Sequence, residues 1–218
     1  MPADIETRSM EIIEEELKQY DPDPLMSQNE LTIVKRVIHA TADFDYSSSI
    51  KFINNPIPEA IKTIRDRSFT IITDTNMTLS GINKRVIQKY EGNAICFMND
   101  ERIIKAAGER KVTRATVSME YAALVCKEGI YSVGNAPTAL FALGELIEKG
   151  EVRPSLVTAV PVGFVNVVES KEFIKDICLK REIPLIINEG RKGGSTIAAA
   201  IINAILYMAD DVTDPHRR

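Results

Sequence analysis

SLVTAVPVGFVNVVESKEFIKDICLKREIPLIINEGRKGGSTIAAAIINAI, residues 155–205, repeats one structural rhythm twice. SLVTAV (155–160) and PLIIN (184–188) are short, β-rich and almost wholly apolar. A helical pattern follows each, over 168–181 and 194–209. A strand that reads as a continuous apolar run is covered on both faces, and the intervening helices supply that cover. The same alternation extends toward the N-terminus: SFTIIT (68–73), NAICFM (93–98) and GIYSV (129–133) read as strands, and 58–67, 80–90, 113–127 and 136–149 as helices. Five strands with right-handed crossovers predict an α/β fold, a three-layer α/β/α sandwich around a mostly parallel five-stranded sheet. No linker, repeat or low-complexity tract interrupts the pattern. Residues 1–218 are therefore expected to form one domain, with the α/β core over 58–209.

An N-terminal helical arm, residues 1–45, precedes that core. Ile5, Met10, Ile13, Leu17 and Tyr20 share one side of a first helix that the turn YDPDP ends. Ser27 opens a second helix with SQNE, a capping box in which Glu30 reaches back, and the helix runs to about Ala42. On it Ile33, Val34, Val37, Ile38 and Thr41 form an apolar side, while His39 points away with Lys35, Arg36 and Asp43. His39 is the chain's one histidine before the C-terminal tail. A solvated histidine on a polar face accounts for the pattern. So does a site: Arg36, three residues earlier, would fix an anionic ligand group. A carboxylate from Asp43 or the ligand would then keep the imidazole protonated, as a general acid requires.

Composition narrows the function classes. With 44% hydrophobic and 27% charged residues the profile is that of an ordinary globular protein. A net charge of −4 offers no polybasic field, so nucleic acid is not an expected partner. Cys96, Cys126 and Cys178 stand apart, outside any CxxC or Cys/His cluster, so no metal site or disulfide framework is expected. The acidic, amphipathic first twenty residues do not suggest a signal peptide. STIAAAIINAILYMAD is too short to span a bilayer, so no membrane partner and a cytoplasmic location are expected. The tail VTDPHRR, with His216, reads as a loose terminus.

In open parallel sheets ligands bind beyond the carboxyl ends of the strands. There this chain carries TDTNMT, GNAPT, PVGF and NEGRKGGS. GRKGGS runs straight into a helix, placing free amides, Arg191 and Lys192 where the helix dipole favours an anion. Neither GxxxxGK[ST] nor a GxGxxG after a strand is present, so a nucleotide is poorly supported, and carboxylates suit the same geometry.

RVIHATADFD, SVGNAPTALFALGELI, RPSLVTAVPVGFVNVVESKE and GRKGGSTIAAAIINAI, in that order, resemble the precorrin-8X methylmutase family, from Ser9 to about Ile205. The resemblance implies an isomerase of cobalamin biosynthesis. Such an enzyme moves the C-11 methyl of precorrin-8X or cobalt-precorrin-8 to C-12 by an acid-assisted [1,5]-sigmatropic shift, giving hydrogenobyrinate or cobyrinate. No cofactor is implied; the partners are the tetrapyrrole substrate and a second copy of the chain in a homodimer. His39 matches the family's catalytic histidine, with Ser9 and Arg36 as substrate contacts. Arg114, Asn135, Thr138, Arg191, Gly193, Gly194 and Ser195 match its pocket, and Asp74 and Met77 match a D-x-x-M element. SMEII, VNVVESKE and TRAT depart from the family's usual SFxII, smaller residues after PVGF, and TRS. They bear on substrate fit and rate, not on reaction class. Two other readings stay open: a corrinoid-binding protein without turnover, and an unrelated α/β enzyme holding a phosphate ligand at GRKGGS.

Overall fold

The computed structural model describes residues 2–20 and 25–211; most of the YDPDP turn and the tail carrying His216 lie outside them. The chain opens with α1 (Pro2–Leu17), α2 (Gln28–Thr41), the short α3 (Tyr46–Ser49), β1 (Ile50–Ile53) and α4 (Pro56–Arg65). It continues through β2 (Thr70–Thr73), α5 (Asn76–Gly81), α6 (Lys84–Lys89), β3 (Asn93–Ile95), α7 (Glu101–Arg110) and α8 (Arg114–Val125). It ends with β4 (Ile130–Val133), α9 (Pro137–Glu148), β5 (Leu156–Ala159), α10 (Val167–Arg181), β6 (Leu185–Asn188) and α11 (Ser195–Ala209). Among the described residues no helix is long and apolar enough to cross a membrane.

The sheet has six strands, not five, in the order β1-β6-β5-β4-β2-β3. Five are parallel as expected, and β1 adds an antiparallel edge, with Ile50 opposite Asn188 and Ile53 opposite Leu185. β1 escaped the sequence reading because an edge strand of four residues, one buried and three half-covered, has neither a continuous apolar run nor a clean alternation. Four further differences are local, the first being the short α3, which the sequence reading did not anticipate. NAICFM is a strand only over Asn93–Ile95, the 80–90 helix divides into α5 and α6, and α7 was not anticipated. The apolar stripe of α7 has just two buried residues, Ile103 and Ala107, too thin to register as a period, although Asp100 caps it by accepting from the Arg102 amide.

Alternation along each strand sorts the core into two layers. Ile71, Ile130, Leu156 and Ile186 pack with α2, α4 and α11 on one face. Ile72, Tyr131, Val157 and Ile187 pack with α8, α9 and α10 on the other. Successive side chains of a strand point to opposite faces, so both faces need helical cover. The capping box of α2 is present: the Glu30 amide donates to Ser27 Oγ, and the Ser27 amide to Glu30 Oε2. Ile33, Val34, Val37 and Ile38 are buried, which builds α2 into the first layer. Lys35 departs from the expected polar face: it is buried against α1 and pairs with Glu14 at 2.8 Å. On α1, Ile13 and Leu17 are buried but Ile5 is exposed. Cys178 is a core thiol, while Cys96 and Cys126 are half-buried.

The strand order reverses between β2 and β4, the switch point at which an open α/β sheet leaves a crevice. Asp74, directly after β2 and fully buried, closes it. Its carboxylate accepts from the amides of Gly134 (2.9 Å), Asn135 (2.8 Å) and Ala136 (2.8 Å), at the entry to α9. Burial pushes this carboxyl up, and the amides pull against that. Replacing Asp74 with Ala leaves those amides without a partner and is expected to lower stability by about 3 kcal/mol. Urea denaturation measures this, and an unchanged midpoint would contradict the bracing role.

Candidate active site

The residues beyond the carboxyl ends of β2, β4, β5 and β6 are bound into one edge. Ser195 Oγ, at the first turn of α11, lies 2.8 Å from Thr75 Oγ1, the cap of α5. Gly134 allows the end of β4 to meet the same helix: a Cβ there would stand 2.9 Å from the Ser195 Cα. Gly193 lies flat against the end of β5, where a Cβ would approach the Val160 carbonyl oxygen to 2.2 Å. Gly194 adopts φ +135° and its amide donates to the Val160 carbonyl at 2.8 Å. The glycines of GRKGGS are thus required by close backbone approach and by a conformation that other residues rarely adopt.

Arg191 is exposed beside this turn, its guanidinium 5.8 Å from the centre of the Phe164 ring. Phe164, Val162 and Val165 are all exposed, so an apolar lip borders the cationic group. PVGF by itself does not disclose that Phe164 is exposed; the fold does. Asn135 is exposed after β4, and Met77 is exposed on α5. Asp74 of the same D-x-x-M element braces the backbone instead of facing solvent. A second part of the rim runs through hydroxyls: Thr138 Oγ1 lies 2.8 Å from Thr113 Oγ1, and the neighbouring Arg114 donates to the Met98 carbonyl.

His39 stands in the last turn of α2, exposed, and among the described residues its imidazole has no hydrogen-bond partner. Asp43 does not serve it. The Asp43 carboxylate accepts from Lys192 Nζ at 2.6 Å, and Asp45 accepts from the same ammonium at 2.6 Å. Burial would raise the Asp43 carboxyl, but Lys192 and the Asp45 amide hold it below its ordinary value. The two carboxylates in turn hold Lys192 well above the ordinary lysine range. Lys192 is therefore occupied, not free to meet an anion as its position in GRKGGS suggests. What it does is tie the end of α2, four residues past His39, to the glycine turn. Arg36 and Ser9 belong to the α1–α2 junction: Arg36 donates to Glu6 at 3.1 Å and lies over the Tyr207 ring, and the Ser9 hydroxyl donates to the Ile5 carbonyl. Asn135, Gly193, Gly194 and Ser195 thus share one edge; Thr138 and Arg114 lie beside it; Lys192 ties to it Asp43 and Asp45, just past the helix that carries His39.

No group of three or more His, Cys, Asp or Glu among the described residues is placed to hold a metal. The cationic and amide donors, the apolar lip and the exposed imidazole suit a flat conjugated ligand with anionic substituents. Replacing Gly193 with Ala would force the turn off the Val160 carbonyl, at about 1–3 kcal/mol of strain, and should lower the melting temperature. An unshifted melt would mean the turn has room that the geometry denies. Under the turn, burial pulls Lys171 from an ordinary 10.5 down to about 8. Between those pH values the unfolded chain binds the extra proton, so the fold gains stability from this residue as pH rises. The melting temperature of wild type is expected to rise relative to Lys171→Met between pH 7 and 10; a constant gap would refute the shift.

The family model for precorrin-8X methylmutase matches residues 4–208. The chain is 41% identical to the cobalt-precorrin-8 methylmutase of Priestia megaterium, over 96% of this chain and 89% of that protein. It is 40% identical to that of Salmonella typhimurium, over 94% and 95%. The solved precorrin-8X methylmutase of Thermus thermophilus superimposes with a TM-score of 0.80 at 34% identity, covering 95% of this chain and 98% of that one. With sequence and fold matched along almost its whole described length, the chain belongs to the precorrin-8X methylmutase family, isomerases of cobalamin biosynthesis.

Proposed function

We propose that the protein moves a methyl group from C-11 to C-12 of cobalt-precorrin-8, the substrate in the names of both curated relatives, or of metal-free precorrin-8X, yielding cobyrinate or hydrogenobyrinate. His39 is the general acid. It donates a proton to the conjugated ring, which makes the [1,5] shift easier, and takes the proton back once the methyl has migrated. The observation that carries this reading is an exposed imidazole without a partner among the described residues, on a helix whose end Lys192 ties to the glycine turn. Because Asp43 is committed to Lys192, the counter-ion for the imidazolium is a substrate carboxylate.

Arg191 and the amide at Gly193 receive peripheral carboxylates, with Arg114, Asn135, Thr138, Gly194, Ser195 and Met77 along the rim and Ser9 and Arg36 on the His39 side. Cobalt enters and leaves as part of the substrate. His39 stands in the open on a single chain, so a second copy, as in a homodimer, closes the site over the ring. Catalysis is differential binding: the enclosed site holds the protonated, rearranging macrocycle more tightly than the resting one.

Mixing the enzyme with precorrin-8X or cobalt-precorrin-8 and following visible absorbance tests the reading. Wild type converts the chromophore, whereas His39→Ala binds it and slows conversion by about a hundredfold or more. Normal turnover by His39→Ala would remove the general acid from this mechanism. Binding by wild type without conversion would make the protein a corrinoid carrier.

A further inference from the structure

Lys171, in the ESKE stretch of α10, is 2% exposed. Among the described residues no carboxylate pairs with it; its ammonium donates to the Gly190 carbonyl at 2.7 Å and the Lys192 carbonyl at 2.8 Å. A buried ammonium with only neutral acceptors is costly, and burial has pulled it down to about 8. A cost of that kind persists where the group's effect on its neighbours matters. Here the neighbours are the two carbonyls that flank Arg191.

The same turn is held by a second buried donor. Asn188 Nδ2 donates to the Lys192 carbonyl at 2.7 Å, and the Ser49 hydroxyl orients that amide by donating to Asn188 Oδ1 at 2.6 Å. The charges nearest along the turn are already matched: Glu189 pairs with Lys175, and Lys192 with Asp43 and Asp45. Of these nearest cations, Lys171 and Arg191 are left without an anion among the described residues.

We propose that Lys171 is a positioning residue for the methyl shift: from beneath, it holds the 190–193 turn in the shape that presents Arg191 and Gly193 to a substrate carboxylate. This rests on the assignment of that turn to the substrate. Lys171 itself touches no substrate. It acts on the non-reacting periphery of the macrocycle, so its loss should weaken binding and leave the chemical step nearly intact.

Lys171→Met tests this in the full chain. The fold is expected to survive, because methionine fills similar space and the Lys192 carbonyl keeps its Asn188 donor; Lys171→Gln gives the same comparison should Lys171→Met not melt cooperatively. KM for cobalt-precorrin-8 should rise by about tenfold with kcat within about threefold of wild type. Amide hydrogen exchange across residues 190–194 should quicken by about tenfold or more. Arg191→Ala separates the two ways of failing. If Arg191→Ala raises KM but the Lys171 variant leaves both KM and exchange unchanged, Lys171 does not position the turn. If exchange quickens while KM is unchanged in both variants, the turn does not bind substrate, and this role falls with that assignment.

Discussion

Backbone amides at the ends of a parallel sheet need acceptors, and the site of this protein is organised by how they find them. At the β2/β4 switch point the carboxylate of Asp74 takes three, at Gly134, Asn135 and Ala136. That fixes the entry to α9, sets Asn135 at the surface and closes the crevice from below. One strand further on, the Val160 carbonyl takes the Gly194 amide and Gly193 packs against the same carbonyl. The edge becomes a floor of tied backbone, and only selected groups stand above it.

This economy explains how a chain of net charge −4 suits a ligand fringed with carboxylates. Several cations around this edge and the α1–α2 junction are answered within the chain. Lys192 is neutralised by Asp43 and Asp45, Lys175 by Glu189, Arg36 by Glu6. Arg191 stands exposed against the Phe164 ring, beside an apolar lip, and Lys171 is buried under the turn that carries it. Anion selectivity in such a site follows from the placement of a few donors, not from a basic surface.

Much of the fold was legible because it depends on short-range pattern. Continuous apolar strands announced two-sided burial, and the glycines and prolines after β4, β5 and β6 marked the candidate edge. SQNE announced the start of α2, and the exposed face of His39 followed from its helical angle. What was not legible had weak local signal: β1, a four-residue edge, and α7, with two buried side chains. Among the candidate residues, Asn135, Gly193, Gly194 and Ser195 lie at one sheet edge, where the loop reading put them. Asp74 turned out to be a brace, and Asp43 the partner of Lys192 and not of His39.

The chain's period, caps and loop chemistry by themselves determine a parallel α/β sheet covered on both faces, with its glycine-bearing loops at the strand carboxyl ends. Only the tertiary structure decides which polar groups meet there. Lys192 finds Asp43 across 149 positions of sequence, and Asp74 finds the amides after β4 across about sixty. Local periodicity records which face of an element is buried, since burial is a property of each residue's own environment. It holds no record of which distant partner satisfies a given charge, because that partner is set by strand order and packing.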